Sequence, residues 1–167
     1  MIEVNRKTAI LAVALFAVAM MVAPVFAASP KWIPVTVTRT GMSATFPTKS
    51  WTAGNTLHAR GGTGGFANFV IVGEGVNLQG HSESTFDFNI NLENGRGVWH
   101  WDITIIFPDG TFEGIAQVTG TYSMVGGMPV SSDSVQIGTF CGTGAYQGWT
   151  LKITSSSAGV EASMLIP

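Results

Sequence analysis

The chain has 167 residues, of which 46% are hydrophobic and 11% are charged, and its formal net charge is −2. With eight Lys and Arg residues and no basic cluster, it lacks the electrostatic footprint of a nucleic-acid-binding protein. Its single cysteine, Cys141, excludes an intramolecular disulfide framework. We expect Cys141 to be a small buried residue and not a nucleophile.

The first predicted element is a cleavable signal peptide over residues 1–27. Arg6 and Lys7 precede an apolar run over residues 9–23, and small Ala27 stands at the predicted cleavage site. An uncleaved anchor is the alternative, but the run is shorter than the roughly 20 residues that cross a bilayer. We therefore expect residues 28–167 to form a single secreted, extracytoplasmic domain without a membrane span.

Beyond residue 27, apolar residues alternate with polar ones, which is the pattern of β-strands with one buried face. No segment there shows the spacing of an amphipathic helix. The predicted strands, in chain order, are Ile33–Arg39, Leu57–Arg60, Phe66–Gly73, Phe86–Leu92, Val98–Phe107, Thr111–Met124, Val135–Cys141, Trp149–Thr154 and Val160–Ile166.

The turn signals place neighbouring strands side by side. Asn94-Gly95 predicts a two-residue type I′ hairpin turn, and Pro108-Asp109-Gly110 predicts the next reversal. The glycine run 61–65 indicates a flexible connection or a sharp bend. Thr40–Asn55 and Val125–Ser134 are predicted to be long mobile loops.

Eight or nine short antiparallel strands fit two architectures. We predict an all-β fold, a single antiparallel barrel of about eight strands, with a β-sandwich as the alternative. Glycines within the predicted strands favour the barrel, because small barrels need sharply bent strands.

The segment Trp99-His100-Trp101-Asp102 raises the question of a reaction centre. In a barrel with no helix outside it, the apolar face points inward, so Trp99 and Trp101 are predicted to be interior and His100 and Asp102 exterior. A solvated polar face is therefore favoured over a catalytic dyad. The three histidines lack zinc-site spacing, and no metal or cofactor is predicted.

The aromatic residues are the candidate binding site. They either line a ligand cavity or fill the core, and both readings stay open. Trp32 and Trp51 are expected to be exposed. The candidate cavity-wall residues are Trp99, Trp101, Tyr122 and Trp149.

The segments DGTFEGIAQVTGTY and GTFCGTGAYQGWTLKI resemble the glycine-punctuated hairpins of the allene oxide cyclase and dirigent group of barrels. The matching features are Phe112-Glu113-Gly114 and the glycine-spaced segment from Gly142 to Gly148. The resemblance implies an eight-stranded barrel with an apolar cavity for a hydrophobic small molecule, often as an oligomer. It brings no catalytic residues to this chain.

Three functional hypotheses follow. The first is a secreted, non-catalytic barrel that binds a hydrophobic or aromatic small molecule. The second is a cyclase or isomerase, which needs a polar residue inside the cavity, such as Arg39, Asn68 or Glu74. The third is a structural or cell-envelope interaction module that acts through its loops.

Overall fold

The computed structural model describes residues 29–125 and 128–167, which form one antiparallel sheet of nine strands. The predicted signal peptide over residues 1–27 lies outside the described residues. In this part of the chain, the 3-10 turn Gly144–Tyr146 is the only helical element, and no helix there is long and apolar enough to span a membrane. The strands are β1 (Lys31–Thr45), β2 (Lys49–Ala53), β3 (Thr56–Gly73), β4 (Val76–Asn91), β5 (Arg96–Phe107), β6 (Gly110–Val125), β7 (Met128–Gly142), β8 (Thr150–Ser156) and β9 (Gly159–Ile166).

The sheet closes on itself through β1. Strands β3 to β9 follow one another as a meander, and β1 pairs with both β9 and β3, which makes a ring of eight strands. The short strand β2 continues along the same edge of β3 that β1 occupies, from Arg60 to Thr56. The predicted fold class, an all-β antiparallel barrel of about eight strands, is confirmed.

The ring is closed over only part of its height. β9 pairs with β1 over Lys31–Val35 alone, and β8 pairs with β7 over Gln136–Cys141 alone. Among the described residues, β1 beyond Val35 and β7 before Gln136 therefore have no ladder partner on that side. We call the opening between residues 36–45 of β1 and residues 128–135 of β7 the seam.

Two groups of buried side chains form the core at opposite ends of the ring. The larger group gathers residues of β1 and β3 to β9, including Ile71, Phe112 and Met164. The smaller one contains Phe86, Phe88 and Tyr122 among its buried residues. Half-buried Trp101 packs against both groups, so it marks the middle of the interior.

Both predicted long loops are mostly strand, so these two predictions were wrong. β1 extends to Thr45, and β2 occupies Lys49–Ala53. β7 already begins at Met128. These segments are rich in Ser, Thr and Gly and show no clear alternation, because most of their side chains are exposed. Backbone pairing with β3 and β6 makes them strands.

The chain turns differ from prediction at one hairpin. Pro108 and Asp109 do form a two-residue turn, since Phe107 pairs with Gly110. The Asn94-Gly95 hairpin exists, but its loop has four residues from Leu92 to Gly95, and only Gly95 has positive φ. The type I′ prediction was wrong because the Asn91 side chain accepts hydrogen bonds from the backbone N–H groups of Glu93 and Asn94, which stabilises the longer loop.

One further expectation was wrong, and one pair of alternatives was decided. Cys141 is exposed, because buried Phe140 and Gly142 on either side of it in β7 face the interior. Of the two alternatives for the glycine run 61–65, the sharp bend is confirmed: the run lies inside β3, and the pairing with β4 shifts between Ala59 and Gly62. Gly61, at φ +75°, supplies the bulge.

Candidate functional site

The interior holds a cavity with two compartments. The compartment around Arg39 has a volume of about 200 Å³, and the compartment around Trp99 has a volume of about 280 Å³. Met42, Trp101 and Val118 line both, so the two compartments adjoin. We refer to them as the Arg39 compartment and the Trp99 compartment.

The seam gives the cavity its access to solvent. Residues of both strands that flank it line the compartments: Met42 and Ala44 come from β1, and Ser131 and Ser134 come from β7. Met42 is 63% exposed although it lines both compartments. A ligand could therefore reach the interior between β1 and β7 without any strand separating.

An aromatic wall forms one side of the Trp99 compartment. The rings of Trp99 and Trp101 lie 5.8 Å apart with 11° between their planes, and Phe86 lies 4.4 Å from Trp101. Tyr122 continues the wall 5.7 Å from Trp99. This arrangement follows from the period of two along β5 and from register, because Phe86 is directly opposite Trp101 on β4.

Three polar atoms of this wall are buried without a hydrogen-bond partner among the described residues. They are Nε1 of Trp99, Nε1 of Trp101 and the hydroxyl oxygen of Tyr122. Burial also raises the pKa of Tyr122 to about 12, so the phenol keeps its proton. Buried polar groups are normally satisfied, and three orphaned groups in one wall are unusual.

Arg39 faces the interior from β1, in phase with the buried residues Ile33, Val35 and Val37. Its guanidinium donates hydrogen bonds to Oε1 of Gln136 at 3.2 Å and to Oγ of Ser155 at 3.3 Å. It also lies 5.2 Å from the centre of the Phe66 ring. Burial lowers the pKa of Arg39, but a guanidinium keeps its proton in proteins.

The structure brings three of the four predicted wall residues together. Trp99, Trp101 and Tyr122 line the Trp99 compartment. Trp149 lies elsewhere: it packs on Tyr146, with ring centres 5.6 Å apart, at the end of the ring that holds the larger core group, and it lines neither compartment.

Of the three polar residues considered for the interior, only one lies there. Arg39 lies inside, whereas Asn68 and Glu74 are exposed. Asn68 donates a hydrogen bond to Oγ1 of Thr40, and Glu74 forms a surface ion pair with Lys31 at 3.2 Å.

The polar residues of the tryptophan strand point outward, as predicted. His100 and Asp102 are exposed, and His100 is paired with Gln117 on β6. Asp102 borders an open depression of about 680 Å³ on the outer surface, together with Glu83 and Glu113. No group of three or more His, Cys, Asp or Glu side chains in the described residues is arranged to hold a metal ion.

The two tryptophans near the start of the domain are exposed, as expected. Trp32 and Trp51 are both 42% exposed. Trp51 lies on β2 and stacks on His58 at a ring distance of 5.1 Å, and the ammonium of Lys152 lies 4.6 Å from the Trp32 ring. Both rings thus have partners within the chain.

Sequence reasoning missed the residues that contact Arg39 and one residue of the cavity lining. Gln136 and Ser155 were not singled out, although Gln136 is in phase with buried Phe140 on β7. Met42 could not be found from alternation, because β1 changes phase at Gly41, whose φ is +69°.

Comparison with protein-family models, curated proteins and solved structures found no match to this chain.

Proposed function

We propose that this protein is an extracytoplasmic barrel that binds a hydrophobic or aromatic small molecule in its interior. The observation that best supports this is the aromatic wall, in which three buried N–H and O–H groups have no hydrogen-bond partner among the described residues. An apolar cavity with a few polar groups is the usual form of a small-molecule site. A core selected only for packing would place neither two indole N–H groups nor a phenol where nothing accepts their hydrogen bonds.

The chemistry of the wall defines the ligand class. The flat rings of Trp99, Trp101 and Phe86 favour a planar or aliphatic body, and the three donors favour oxygen or nitrogen acceptors on it. Ligand binding would require small side-chain shifts, because the donor atoms are covered in the free protein. The gain on binding is then the satisfaction of groups that are costly when unpaired.

The test uses naphthylacetamide, a neutral aromatic probe with an acceptor, titrated by calorimetry. Trp101→Phe removes an indole N–H from the wall, and Trp149→Phe makes the same change outside the cavity. We expect the first variant to weaken binding about tenfold, the loss of roughly one hydrogen bond, and the second to leave it unchanged. Equal effects of the two variants, or no binding by the wild type at millimolar probe, would refute the proposal.

A second experiment needs no chosen probe. Native mass spectrometry of the exported chain, compared with the denatured mass, would detect a molecule acquired in the cell. The expected result is a discrete extra mass that is lost on unfolding and is less abundant in Trp101→Phe than in wild type.

A cyclase or isomerase is the second candidate, which Arg39 favours. An interior cation beside an aromatic compartment could stabilise negative charge that develops on a held substrate. A ligand recovered from the protein and returned to it would then reappear as an isomer of the same mass. Recovery of the unchanged compound at stoichiometric amount would favour the non-catalytic carrier.

A further inference from the structure

We infer that the interior ligand is a carboxylate with an aromatic or short apolar body, whose carboxylate pairs with Arg39 while its body lies against the wall of Trp99 and Trp101. This inference rests on the proposed function and specifies the class of ligand.

Among the described residues, the charge of Arg39 has no counter-ion. The ion pairs in the described residues join Lys31 to Glu74 and Arg60 to Asp87, both at the surface. Arg39 instead contacts two neutral oxygens and an aromatic face. A half-buried cation without an anion is costly, and buried charges in proteins are normally paired.

The guanidinium retains capacity for a ligand. It has five N–H donors in a planar fork, of which the contacts to Gln136 and Ser155 use two. The remaining donors suit a carboxylate, which arginine binds in a bidentate manner. Arg39 also lies where the seam ends, since Gln136 is the first residue of β7 that pairs with β8.

Among the described residues, no side chain that lines the cavity carries a charge that would repel an anion. No Asp or Glu of the described chain lines either compartment, and Arg39 is the only charged residue that does. The orphaned groups of the Trp99 compartment are also donors. An interior with one cation, several donors and no carboxylate complements an anion and would disfavour a cation.

The first test compares naphthylacetate with naphthylacetamide, which differ in charge and hardly in shape. Calorimetry at neutral pH should give wild type about a tenfold preference for the acid, because a charge-assisted hydrogen bond is about twice as strong as a neutral one. Arg39→Gln should remove this preference, and Arg39→Lys should retain part of it. Arg96→Gln, the same change at an exposed hairpin position, should leave both affinities unchanged.

A second variant covers the case in which Arg39→Gln fails to fold. Gln136→Glu supplies Arg39 with a carboxylate at the position of its present neutral acceptor, so it should fold at least as stably as wild type. It should lose the preference for naphthylacetate over naphthylacetamide, with the affinity for the amide measured in the same variant as the reference.

The outcomes separate the two proposals. If the amide and the acid bind wild type equally, the cavity proposal stands and the carboxylate inference is overturned. An acid preference that survives both Arg39→Gln and Gln136→Glu also overturns the inference. If neither compound binds, the proposed function fails, and the inference fails with it.

Discussion

The hydroxyl group of Tyr122 allows a test of the wall that depends on stability alone. The side chain is only 7% exposed, and its hydroxyl has no hydrogen-bond partner among the described residues. Tyr122→Phe replaces the hydroxyl group by a hydrogen atom, while the ring stays 5.7 Å from the Trp99 ring. The substitution therefore leaves the packing and removes only the buried orphan.

The expected effect is stabilisation, which is unusual for a core substitution. A buried hydroxyl without a partner costs about 1–3 kcal/mol. The side chain can relax partly toward solvent in the free protein, so we expect the lower value, an increase of about 1 kcal/mol in the free energy of unfolding. For a domain of this size, Tm should rise by about 4 °C.

The assay is guanidinium denaturation followed by circular dichroism, which avoids any change in tryptophan emission near the substitution. Tyr146→Phe is the matched control, because Tyr146 is also 7% exposed and stacks on Phe112 at 5.3 Å, but its hydroxyl is not an orphan. The control should be neutral or destabilising. In the same Tyr122→Phe protein, affinity for naphthylacetamide should fall.

If Tyr122→Phe raises the free energy of unfolding and lowers the affinity for naphthylacetamide, the hydroxyl stabilises the complex with the ligand and destabilises the free protein. A loss of more than about 1 kcal/mol in Tyr122→Phe would show that the hydroxyl has a partner in the free protein. That result would remove Tyr122 from the set of orphaned donors.

Three further predictions concern the fold around the site. Gly65→Ala places a Cβ on the carbonyl oxygen of Ser82, so the bend of β3 should not tolerate it. We expect the free energy of unfolding, measured by urea denaturation, to fall by about 3 kcal/mol. A fall of less than about 1 kcal/mol would contradict this close approach. Asn91→Ala removes the acceptor of two loop N–H groups, at 2.9 and 3.2 Å. It should lower the free energy of unfolding in urea by about 1 kcal/mol. An unchanged denaturation midpoint would mean that solvent replaces both hydrogen bonds. The pKa of Tyr122 is raised from 10.0 to about 12, and burial together with nearby Asp109 raises that of Tyr146, so the unfolded chain ionises first. The stability that comes from keeping these phenols neutral is intact below about pH 10 and is lost between about pH 10 and 12. Denaturation at stepped alkaline pH should therefore show a steeper fall in the free energy of unfolding for wild type than for Tyr122→Phe. Parallel curves for the two proteins would argue against a raised pKa of Tyr122.

Much of the architecture could be predicted from local patterns. The alternation in β5 correctly placed Trp99 and Trp101 inside and His100 and Asp102 outside, because a closed sheet with one covered face leaves each residue only two directions. The same rule anticipated that Trp99, Trp101 and Tyr122 face the interior. It could not separate them from Trp149, since facing inward does not say at which height of the ring a side chain lies.

The seam and the position of Arg39 could not be predicted from the sequence. The partial closure depends on how far the short strands β8 and β9 reach along β7 and β1, and this is a property of register between distant segments. Arg39 and Gln136 are 97 positions apart in the chain, and their contact exists only because the ring closes there.

The sequence by itself determined that this chain is a strand meander with an aromatic interior, because side-chain alternation and turn residues act over a few neighbouring positions. Only the tertiary structure decided that the interior is hollow, that it opens between β1 and β7, and that Arg39, which has no ion-pair partner among the described residues, lies in the compartment next to the orphaned donors. The volume of the cavity, the closure of the ring and the pairing of charges each depend on residues that lie far apart in the chain.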